Sequence, residues 1–463
     1  MLKNSVPAKS VLAALYLTIA CTDSGDSTDG YSVTAGTAAG TSGTAAGTGR
    51  STPTGGAGGT GGDPGTGGTA AGTGGAAATG GAAATGGAGG TGGDSGTGGG
   101  AAPTGGDPIV LTEYVFMQGE KAYESVHAAD LLELEDGTIL VTFFGGRKEG
   151  AHNVEAWVAR KPPAGEWSLP KNVTDDDVTL YHPVLFQPRG GDVMLFYKSP
   201  GIEDGNVITS SDGGLTWSSP TRLPSGIVGP MVNKPVQLND GTIISGSNTR
   251  SYYWYIHVER STDNGRTWTK IPIDDDYHGV LLPTILVHSQ TRLQLLMRTN
   301  DMTDSAKMPT CWSEDAGLTW TSIEDGPLPN NNSAVDAVTL TDGRHLLAYN
   351  HSTRGETSAG CKGRGVLNVS VSNDGINWEA ALVLDYRDHR ACLVSDDQVY
   401  PQYSYPAIIQ SRDGFVHVAY TWHRKRIKYV VINPYDLVTY PIVNGEWPKD
   451  KIPWIESTEL SPL

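Results

Sequence analysis

The sequence is short of cysteine, phenylalanine and basic side chains. Its 463 residues include four cysteines and six phenylalanines, and Lys and Arg number 33 against 50 Asp and Glu. The resulting net charge of −17 argues against nucleic acid and against an anionic membrane surface as partners, because both bind basic patches. The sequence also contains no nucleotide-binding loop, zinc motif or Gly-x-Ser-x-Gly elbow. We therefore expect no cofactor and no metal, and we interpret the acidic runs at 175–177 and 274–276 as solvated turns.

The few cysteines leave the redox state of the chain open. Cys21 lies near the N-terminus, and Cys311, Cys361 and Cys392 lie far from it at spacings that no metal motif uses. Three such cysteines allow one disulfide, with Cys361 and Cys392 as a candidate pair, or three buried free thiols. The sequence does not decide between these alternatives.

Large apolar side chains are almost absent from residues 22–107, which consist mainly of Gly, Ala and Thr. Such a segment cannot bury enough apolar surface to offset the entropy lost on ordering. We therefore predict that this segment is a disordered linker that tethers a folded domain at 108–463.

Residues 1–21 have the pattern of an export signal. Lys3 and Lys9 are followed by an apolar run, 11–20, that is too short to span a membrane. The sequence 18–21, Thr-Ile-Ala-Cys, resembles a bacterial lipobox, which would place a lipid on Cys21. A plain secretory signal is the alternative. We expect the protein to be exported, either as an outer-membrane or cell-surface lipoprotein or as a secreted protein.

A short turn motif recurs in the second half of the chain. The pattern Ser-x-Asp-x-Gly-x-Thr-Trp occupies 210–217, 261–268 and 313–320, and a copy one residue shorter occupies 372–378. Asp accepts hydrogen bonds from backbone N–H groups of a turn, Gly supplies a positive φ, and Trp packs under the hairpin. Four copies roughly 50 residues apart indicate repeated supersecondary units.

A second repeat gives the number of units. A short apolar strand that runs into a turn begins six times, at 127–129, 182–184, 234–236, 282–284, 336–338 and 405–407. Six openings predict six four-stranded blades, and such repeats build a radial β-propeller. The two repeats together resemble the sialidase-like (BNR/Asp-box) superfamily. We therefore expect an all-β, six-bladed propeller with Asp-box hairpins, which we take to be a monomer.

Polar residues stand where the inner strands begin, and strand starts at one face of a propeller converge on a shared pocket. The candidates at these starts and their edges are His127, His182, Lys234, Asp336, Tyr403 and Tyr405.

The resemblance implies further site residues. Sialidases hold the substrate carboxylate with three arginines; the first lies in an Arg-Ile-Pro motif where this chain has Ser-Val-His-Ala, with His127 replacing it. The retained Gly-Arg element contains Arg147, and the two later arginines of the family match Arg298 and Arg364. Apart from the resemblance, Asn332 precedes the fifth inner strand and is expected to line the wall of the pocket. Tyr403, followed closely by Tyr405, matches the tyrosine nucleophile.

Two carboxylates of the family pattern are missing. No glutamate lies near 282–283 to activate the tyrosine, and the aspartate expected soon after Arg147 is absent, with His152, Asn153 and Glu155 in that region. A tyrosine without such a base is a poor nucleophile, because an unperturbed phenol has a pKa near 10.

These features leave three functions open. The first is hydrolysis of a terminal sugar from an acidic, carboxylate-bearing glycan. The second is β-elimination from a uronate-linked glycan such as rhamnosyl-glucuronate, in which arginines neutralise the carboxylate and a His/Tyr pair moves the proton. The third is glycan binding without catalysis. We assign catalysis to His127, Tyr403 and Tyr405, and substrate binding to the following residues: Arg147, Arg298, Arg364, His182, Lys234, Asn332 and Asp336.

Overall fold

The computed structural model describes residues 106–456 apart from 118, 120–122, 175–178, 200–203, 252, 275–276, 354–362 and 388–401. Regular secondary structure in this part of the chain consists of β-strands. No helix among these residues has the length and hydropathy needed to cross a membrane. The predicted export signal, Cys21 and almost all of the predicted linker lie outside the described residues, so they stay predictions.

The strands form six antiparallel sheets, one for each predicted unit. The chain begins with β1 (Ile109–Tyr114). Blade one contains β2 (Ser125–Glu133), β3 (Ile139–Gly146), β4 (Glu155–Lys161) and β5 (Lys171–Asn172). Blade two contains β6 (Tyr181–Phe186), β7 (Val193–Lys198), β8 (Asn206–Ser210) and β9 (Thr221–Arg222). Blade three contains β10 (Val236–Gln237), β11 (Ile243–Arg250), β12 (Trp254–Ser261) and β13 (Thr269–Pro272).

The second half of the ring repeats the arrangement. Blade four contains β14 (Val280–Val287), β15 (Leu293–Thr299), β16 (Lys307–Ser313) and β17 (Glu324–Pro329). Blade five contains β18 (Asp336–Thr339), β19 (His345–Tyr349), β20 (Val366–Ser372) and β21 (Trp378–Tyr386), with β25 (Tyr440–Pro441) added at its edge. Blade six contains β22 (Tyr403–Gln410), β23 (Val416–Trp422) and β24 (Arg426–Ile432). The predicted six-bladed propeller is confirmed.

The ring is closed by the first strand, which the repeats in the sequence do not reveal. β1 pairs with β24, with Leu111 opposite Val431 and Tyr114 opposite Lys428, and becomes the outer strand of blade six. The third and fourth strands of blade six are therefore not joined by a hairpin. This arrangement explains why the Asp-box, which lies between those two strands in blades two to five, has no copy there.

The Asp-box turns are held as their sequence predicts. In the first copy, Asp212 Oδ1 accepts hydrogen bonds from the backbone N–H groups of Leu215 (3.0 Å) and Thr216 (2.9 Å), and Gly214 N donates to Ser210 Oγ (2.7 Å). Gly214 has a φ of 82°, a conformation that costs glycine little. Each box thereby holds its own hairpin turn through hydrogen bonds within the turn.

The core lies between neighbouring blades. Leu140 of blade one and Leu185 and Leu195 of blade two belong to one buried cluster, and further clusters continue around the ring. Burying such a side chain contributes about 1.5–3 kcal/mol. Cys311 lies in this core as a free thiol, and burial raises its pKa. Cys361 and Cys392 lie outside the described residues, so their pairing stays open.

Candidate functional site

The inner strands carry a β-bulge near the point where they enter the ring. The pairing register shifts between His127 and Asp130, Tyr181 and Val184, Leu281 and Thr284, and Ser404 and Ala407. A bulge re-aims the side chains around it. At each bulge one residue other than glycine has a positive φ, namely Ala128 (52°), His182 (55°), Leu282 (55°) and Tyr405 (53°).

The positive φ at these bulges is strained, and at three of the four the next residue is a proline. A non-glycine residue in the left-handed region costs on the order of 1 kcal/mol. Pro183, Pro283 and Pro406 follow three of the four residues, and a bulge tolerates a proline because it needs no ladder N–H there. The bulges thus place His182 and Tyr405 near the point where their strands enter the ring.

Two buried arginines lie close to Tyr405. Arg298, at the end of β15, donates from Nη1 to Tyr405 Oη over 2.7 Å. The guanidinium carbons of Arg298 and Arg364 lie 5.9 and 5.5 Å from the centre of the tyrosine ring. Both arginines are buried, with exposed fractions of 5% and 2%. The structure thus brings together three of the predicted residues, which come from blades four, five and six.

Asn332 joins the two arginines. Its side-chain Oδ1 accepts a 2.7 Å hydrogen bond from Arg298 Nε, and its backbone oxygen accepts a 3.1 Å bond from Arg364. Asn332 has a φ of 62°, which asparagine tolerates better than most residues. The predicted wall residue therefore fixes the relative position of the two guanidinium groups.

Two histidines flank the same tyrosine. The ring centroid of His127 lies 4.1 Å from that of Tyr405, and the His182 ring stacks parallel to Tyr405 at 6.2 Å. His127 is fully buried, whereas His182 is half-buried. Burial, reinforced by the positive charges of Arg424, Arg364 and other neighbours, holds the pKa of His127 well below its usual value of 6.5. His127 is therefore neutral at physiological pH.

Arg424, which the sequence suggests only as part of a polar segment at the pocket wall, is a site residue. It lies in the turn between β23 and β24, and it donates to Gln402 Oε1 (3.0 Å), Glu149 Oε2 (2.6 Å) and His127 Nε2 (3.4 Å). Because arginine only donates, His127 Nε2 accepts, and the proton of the neutral ring lies on Nδ1, which contacts Thr421 Oγ1 at 2.9 Å. Arg424 thus fixes the tautomer of His127.

The turn that carries Arg424 is strained as well. Lys425 N donates to the Trp422 carbonyl over 3.0 Å, and the two central residues, His423 and Arg424, both have a φ of 54°. Turns of this kind favour Asn and Gly at those positions. The sequence contains an indication of this site. The tight hairpin lies between two apolar strands but has neither Asn nor Gly, and strained turns of this kind cluster at functional sites.

Glu149 also escaped the sequence analysis. It lies two residues after Arg147 in the loop between β3 and β4, and its side chain is 11% exposed. An arginine of blade six, Arg424, holds this carboxylate, and nothing in the sequence of the loop reveals that partner. Glu149, Arg424, His127, Tyr405 and Arg298 form a continuous chain of contacts from blade one to blade four.

Other predicted residues lie apart from this cluster. Lys234 and Asp336 form an ion pair of 2.7 Å in the canal, and Asp336 also accepts from Ile408 N and from Thr284 Oγ1. Inner strands expose backbone N–H groups to the canal, and such side chains satisfy them. The described contacts of Lys234 and Asp336 are thus with the strands that form the canal. Their predicted role in substrate binding remains a prediction.

Tyr403 and Arg147 also differ from the prediction in their contacts. Tyr403 packs in the core cluster between blades five and six, and its hydroxyl contacts His423 Nε2 at 3.2 Å. Arg147 is exposed at the rim of blade one, and its backbone N–H donates to Asn153 Oδ1. The guanidinium groups of Arg298 and Arg364 therefore lie close to the ring of Tyr405, whereas the Tyr403 hydroxyl contacts a histidine. The catalytic and binding roles of these residues stay predictions.

Two cavities elsewhere in the ring are packing features. One of about 210 Å³ lies between blades four and five beside Trp312 and Trp378, and the other lies between blades one and two beside Trp217. Both occupy the space between the outer part of one blade and the Asp-box tryptophan of the next. The two cavities occupy equivalent positions in the repeat, and neither is lined by Arg298 or Arg364.

Comparisons with known proteins agree with this architecture. Residues 137–418 match the family model described as BNR repeat-like domain. No curated protein matches the chain.

Among solved structures, the Hadza microbial sialidase Hz136 is 16% identical, with a TM-score of 0.58 over 71% of this chain and 69% of its own. The K499G mutant of NanB sialidase from Streptococcus pneumoniae is 12% identical, with a TM-score of 0.53 over 72% and 71%. A protein of unknown function from Dyadobacter fermentans is 16% identical, with a TM-score of 0.52 over 70% and 98%. At such identities the likeness concerns the fold. The chain belongs to the BNR repeat-like domain family, and its fold is the six-bladed propeller of the sialidases.

Proposed function

We propose that the chain is an exported, exo-acting glycoside hydrolase that removes a terminal sugar from a carboxylate-bearing glycan. The observation that carries the proposal is the placement of Arg298 and Arg364 at 5.9 and 5.5 Å from the centre of the Tyr405 ring, with both arginines bonded to Asn332. Arg298 and Arg364 are both buried, and each donates to a polar partner in the site, so two guanidinium groups are held close to one tyrosine. A carboxylate that enters between them would form charge-assisted hydrogen bonds with both.

The charge of this site differs from that of the whole molecule. The protein carries a net charge of −17, yet burial and, after it, the positive charges of three arginines lower the pKa of His127. Their combined positive potential at the canal mouth attracts an anionic sugar locally, although the surface as a whole repels polyanions. This local field favours a small acidic ligand over nucleic acid.

Two tyrosines are available for the chemistry, and the contacts favour Tyr405. Its oxygen accepts a hydrogen bond from Arg298, so a phenolate formed there during the reaction would be stabilised by positive charge. His127 is fully buried beside the Tyr405 ring, so it would act on the substrate through the tyrosine.

Elimination is the alternative reaction, and the contact between His127 and Tyr405 favours it. One incubation separates the two reactions. The purified protein is mixed with sialosides and, separately, with rhamnosyl-glucuronate oligosaccharides, while free sugar and absorbance at about 235 nm are followed. Free sugar without absorbance supports hydrolysis, and an unsaturated uronate identifies a lyase. Binding without either product would identify a glycan-binding module and refute the proposed activity.

A further inference from the structure

We infer that Arg387 and Arg426 form a second oxyanion site, which binds a sulfate or carboxylate group elsewhere on the acidic glycan. The link to the glycan rests on the proposed function, whereas the site itself rests on the contacts described below. Arg387 follows the last residue of β21, and β24 begins at Arg426. Both arginines therefore lie at the face of the propeller where the inner strands begin, at the interface of blades five and six.

An ion pair shows how these two strands face each other. Lys428 of β24 and Asp385 of β21 lie 3.0 Å apart, and both are buried. Side chains two positions apart on a strand point to the same side, and Arg387 continues the ladder of blade five because its N–H donates to the Gly365 carbonyl over 2.7 Å. The pair of opposite charge is therefore followed, toward the canal mouth, by two cations, Arg387 and Arg426.

Aromatic rings hold Arg426 without satisfying its donors. Its guanidinium carbon lies 4.0 Å from the centre of the Tyr114 ring and 4.8 Å from that of Trp422. Arg426 is 6% exposed, and its Nε has no hydrogen-bond partner. Rings attract a guanidinium through its charge, whereas buried charges in proteins are normally also paired or hydrogen-bonded. A buried arginine with an unused donor points to an acceptor that comes from a ligand.

Arg387 is a second cation with donors to spare. Its backbone N–H is bonded, but within the described part of the chain its side chain has no hydrogen bond and no ion pair. The side chain is half-buried, so it reaches both the interface and the solvent. A guanidinium presents a planar fork of N–H donors, which fits two oxygens of a sulfate or a carboxylate.

Two residues connect this interface to the first site. His423 follows Trp422 in the chain, and its Nε2 contacts Tyr403 Oη at 3.2 Å. The backbone N–H of Tyr403 donates to the carbonyl of Arg364 over 2.9 Å. The first site and the second are thus neighbours on one face, which suits two acidic groups of one glycan.

The electrostatic field at the interface is positive, although the protein as a whole carries a net charge of −17. Burial, reinforced by the positive charges of Arg387, Arg426 and Lys428, lowers the pKa of His423 to about 3. Asp385 offsets the charge of Lys428, so the two arginines remain as the excess. A local excess of this kind attracts an anion.

Dialysis against radioactive sulfate at low ionic strength counts the oxyanion sites of the purified protein. We expect the wild type to bind two sulfates, one at each site. Arg387→Gln and Arg426→Gln should each bind one, and so should Arg298→Gln, which alters the first site. Combining Arg387→Gln with Arg298→Gln should abolish binding. A wild type that binds no sulfate overturns the inference, and so do Arg387→Gln and Arg426→Gln proteins that bind as much as the wild type.

Arg292→Gln is the matched control. Arg292 also stacks on a tryptophan, 4.7 Å from the Trp312 ring, but it already pairs with Glu314 at 3.2 Å, so this variant should bind two sulfates. Should Arg426→Gln fail to fold, Arg387→Gln alone decides, because the Arg387 side chain is only half-buried.

A second measurement tests whether the anion belongs to a glycan. Calorimetry compares sialyllactose with disialyllactose, and an unsulfated chondroitin disaccharide with its 6-sulfated form. The member with the additional acidic group should bind the wild type about tenfold more tightly, and Arg387→Gln or Arg426→Gln should remove that advantage. If the advantage is absent, or survives in both variants, the link to the glycan is refuted, and a site that still binds sulfate takes a free inorganic anion.

The sulfate counts separate this inference from the proposed function. A single sulfate that Arg298→Gln retains and Arg426→Gln loses supports the second site and contradicts the first. A single sulfate that Arg298→Gln loses and the other two variants retain supports the first site and refutes the second alone.

Discussion

Tyr405 Oη accepts a 2.7 Å hydrogen bond from Arg298 Nη1, and this contact links blade six to blade four across the canal mouth. The two residues are 107 positions apart in the sequence. A bulge aims the tyrosine, and the last residues of β15 supply the arginine. The relationship defines where an acidic sugar should bind, and the first predictions follow from it.

Replacing either arginine should weaken binding of the acidic sugar. Arg298→Ala or Arg364→Ala removes one charge-assisted contact to the carboxylate, and we expect a loss of about 2–4 kcal/mol in binding free energy. Calorimetry with the acidic sugar and with its methyl ester measures the effect, and the ester should bind both variants and the wild type equally. Arg292→Ala is the control, since Arg292 stacks on Trp312 at the opposite end of β15. Unchanged affinity in both variants would contradict the proposed site.

The two tyrosines should behave differently. Tyr405→Phe removes the hydroxyl that accepts from Arg298, and we expect kcat to fall at least 100-fold and stability to fall by about 1.5–3 kcal/mol, because a buried charged donor loses its acceptor. Tyr403→Phe removes a hydroxyl bonded to His423 in the core between the blades, so it should lower stability by about 1 kcal/mol and leave kcat within a few-fold. Steady-state kinetics and thermal unfolding distinguish them, and a larger kcat loss for Tyr403→Phe would reverse the assignment.

Asp130 should make the protein less stable as the pH rises. Burial, reinforced by Asp336, raises the pKa of this carboxyl from 3.8 to about 8, against a hydrogen bond from Leu185 N that lowers it. Between about pH 4 and 8 the folded state therefore holds a proton that the unfolded state has lost. The free energy of unfolding then falls with rising pH by up to about 1.4 kcal/mol per unit.

Asp130→Asn removes that titration and keeps a side-chain oxygen for Leu185 N. We expect the variant to lose the downward slope, so that it becomes the more stable form near pH 8. Urea unfolding at several pH values between 5 and 8 measures the difference. Parallel stability curves for the two proteins would contradict the assignment of the slope to Asp130.

The strained hairpin predicts a trade-off between stability and activity. Arg424→Gly relieves a positive φ of 54° but removes the contacts to Glu149, Gln402 and His127. Relief of the backbone strain and loss of the side-chain contacts each change the free energy of unfolding by about 1 kcal/mol, in opposite directions. We therefore expect the melting temperature to change by only a few degrees while kcat falls at least tenfold. Thermal unfolding and kinetics on one preparation measure both quantities. A large drop in melting temperature would identify Arg424 as a structural residue instead.

The sequence by itself determined the fold, because the interactions that encode it are local. Each Asp-box is stabilised within one turn, as Asp212 is by the N–H groups of Leu215 and Thr216. Each inner strand is indicated by an apolar run in the sequence. Arg298, Arg364 and Tyr405 could be placed near the canal because strand ends at one face converge. Closure of the ring by β1 could not be predicted, because neither segment alone has a sequence pattern that indicates the pairing of Leu111 with Val431.

Only the tertiary structure decided which of these side chains meet. In a regular strand Tyr403 and Tyr405 would share one face, but the bulge after Ser404 sends the first into the core between blades and the second to the arginines. Glu149 and Arg424 are joined across 275 residues by the closing of the ring. Contacts of that kind depend on how the blades close into a circle, and no local pattern in the chain encodes them.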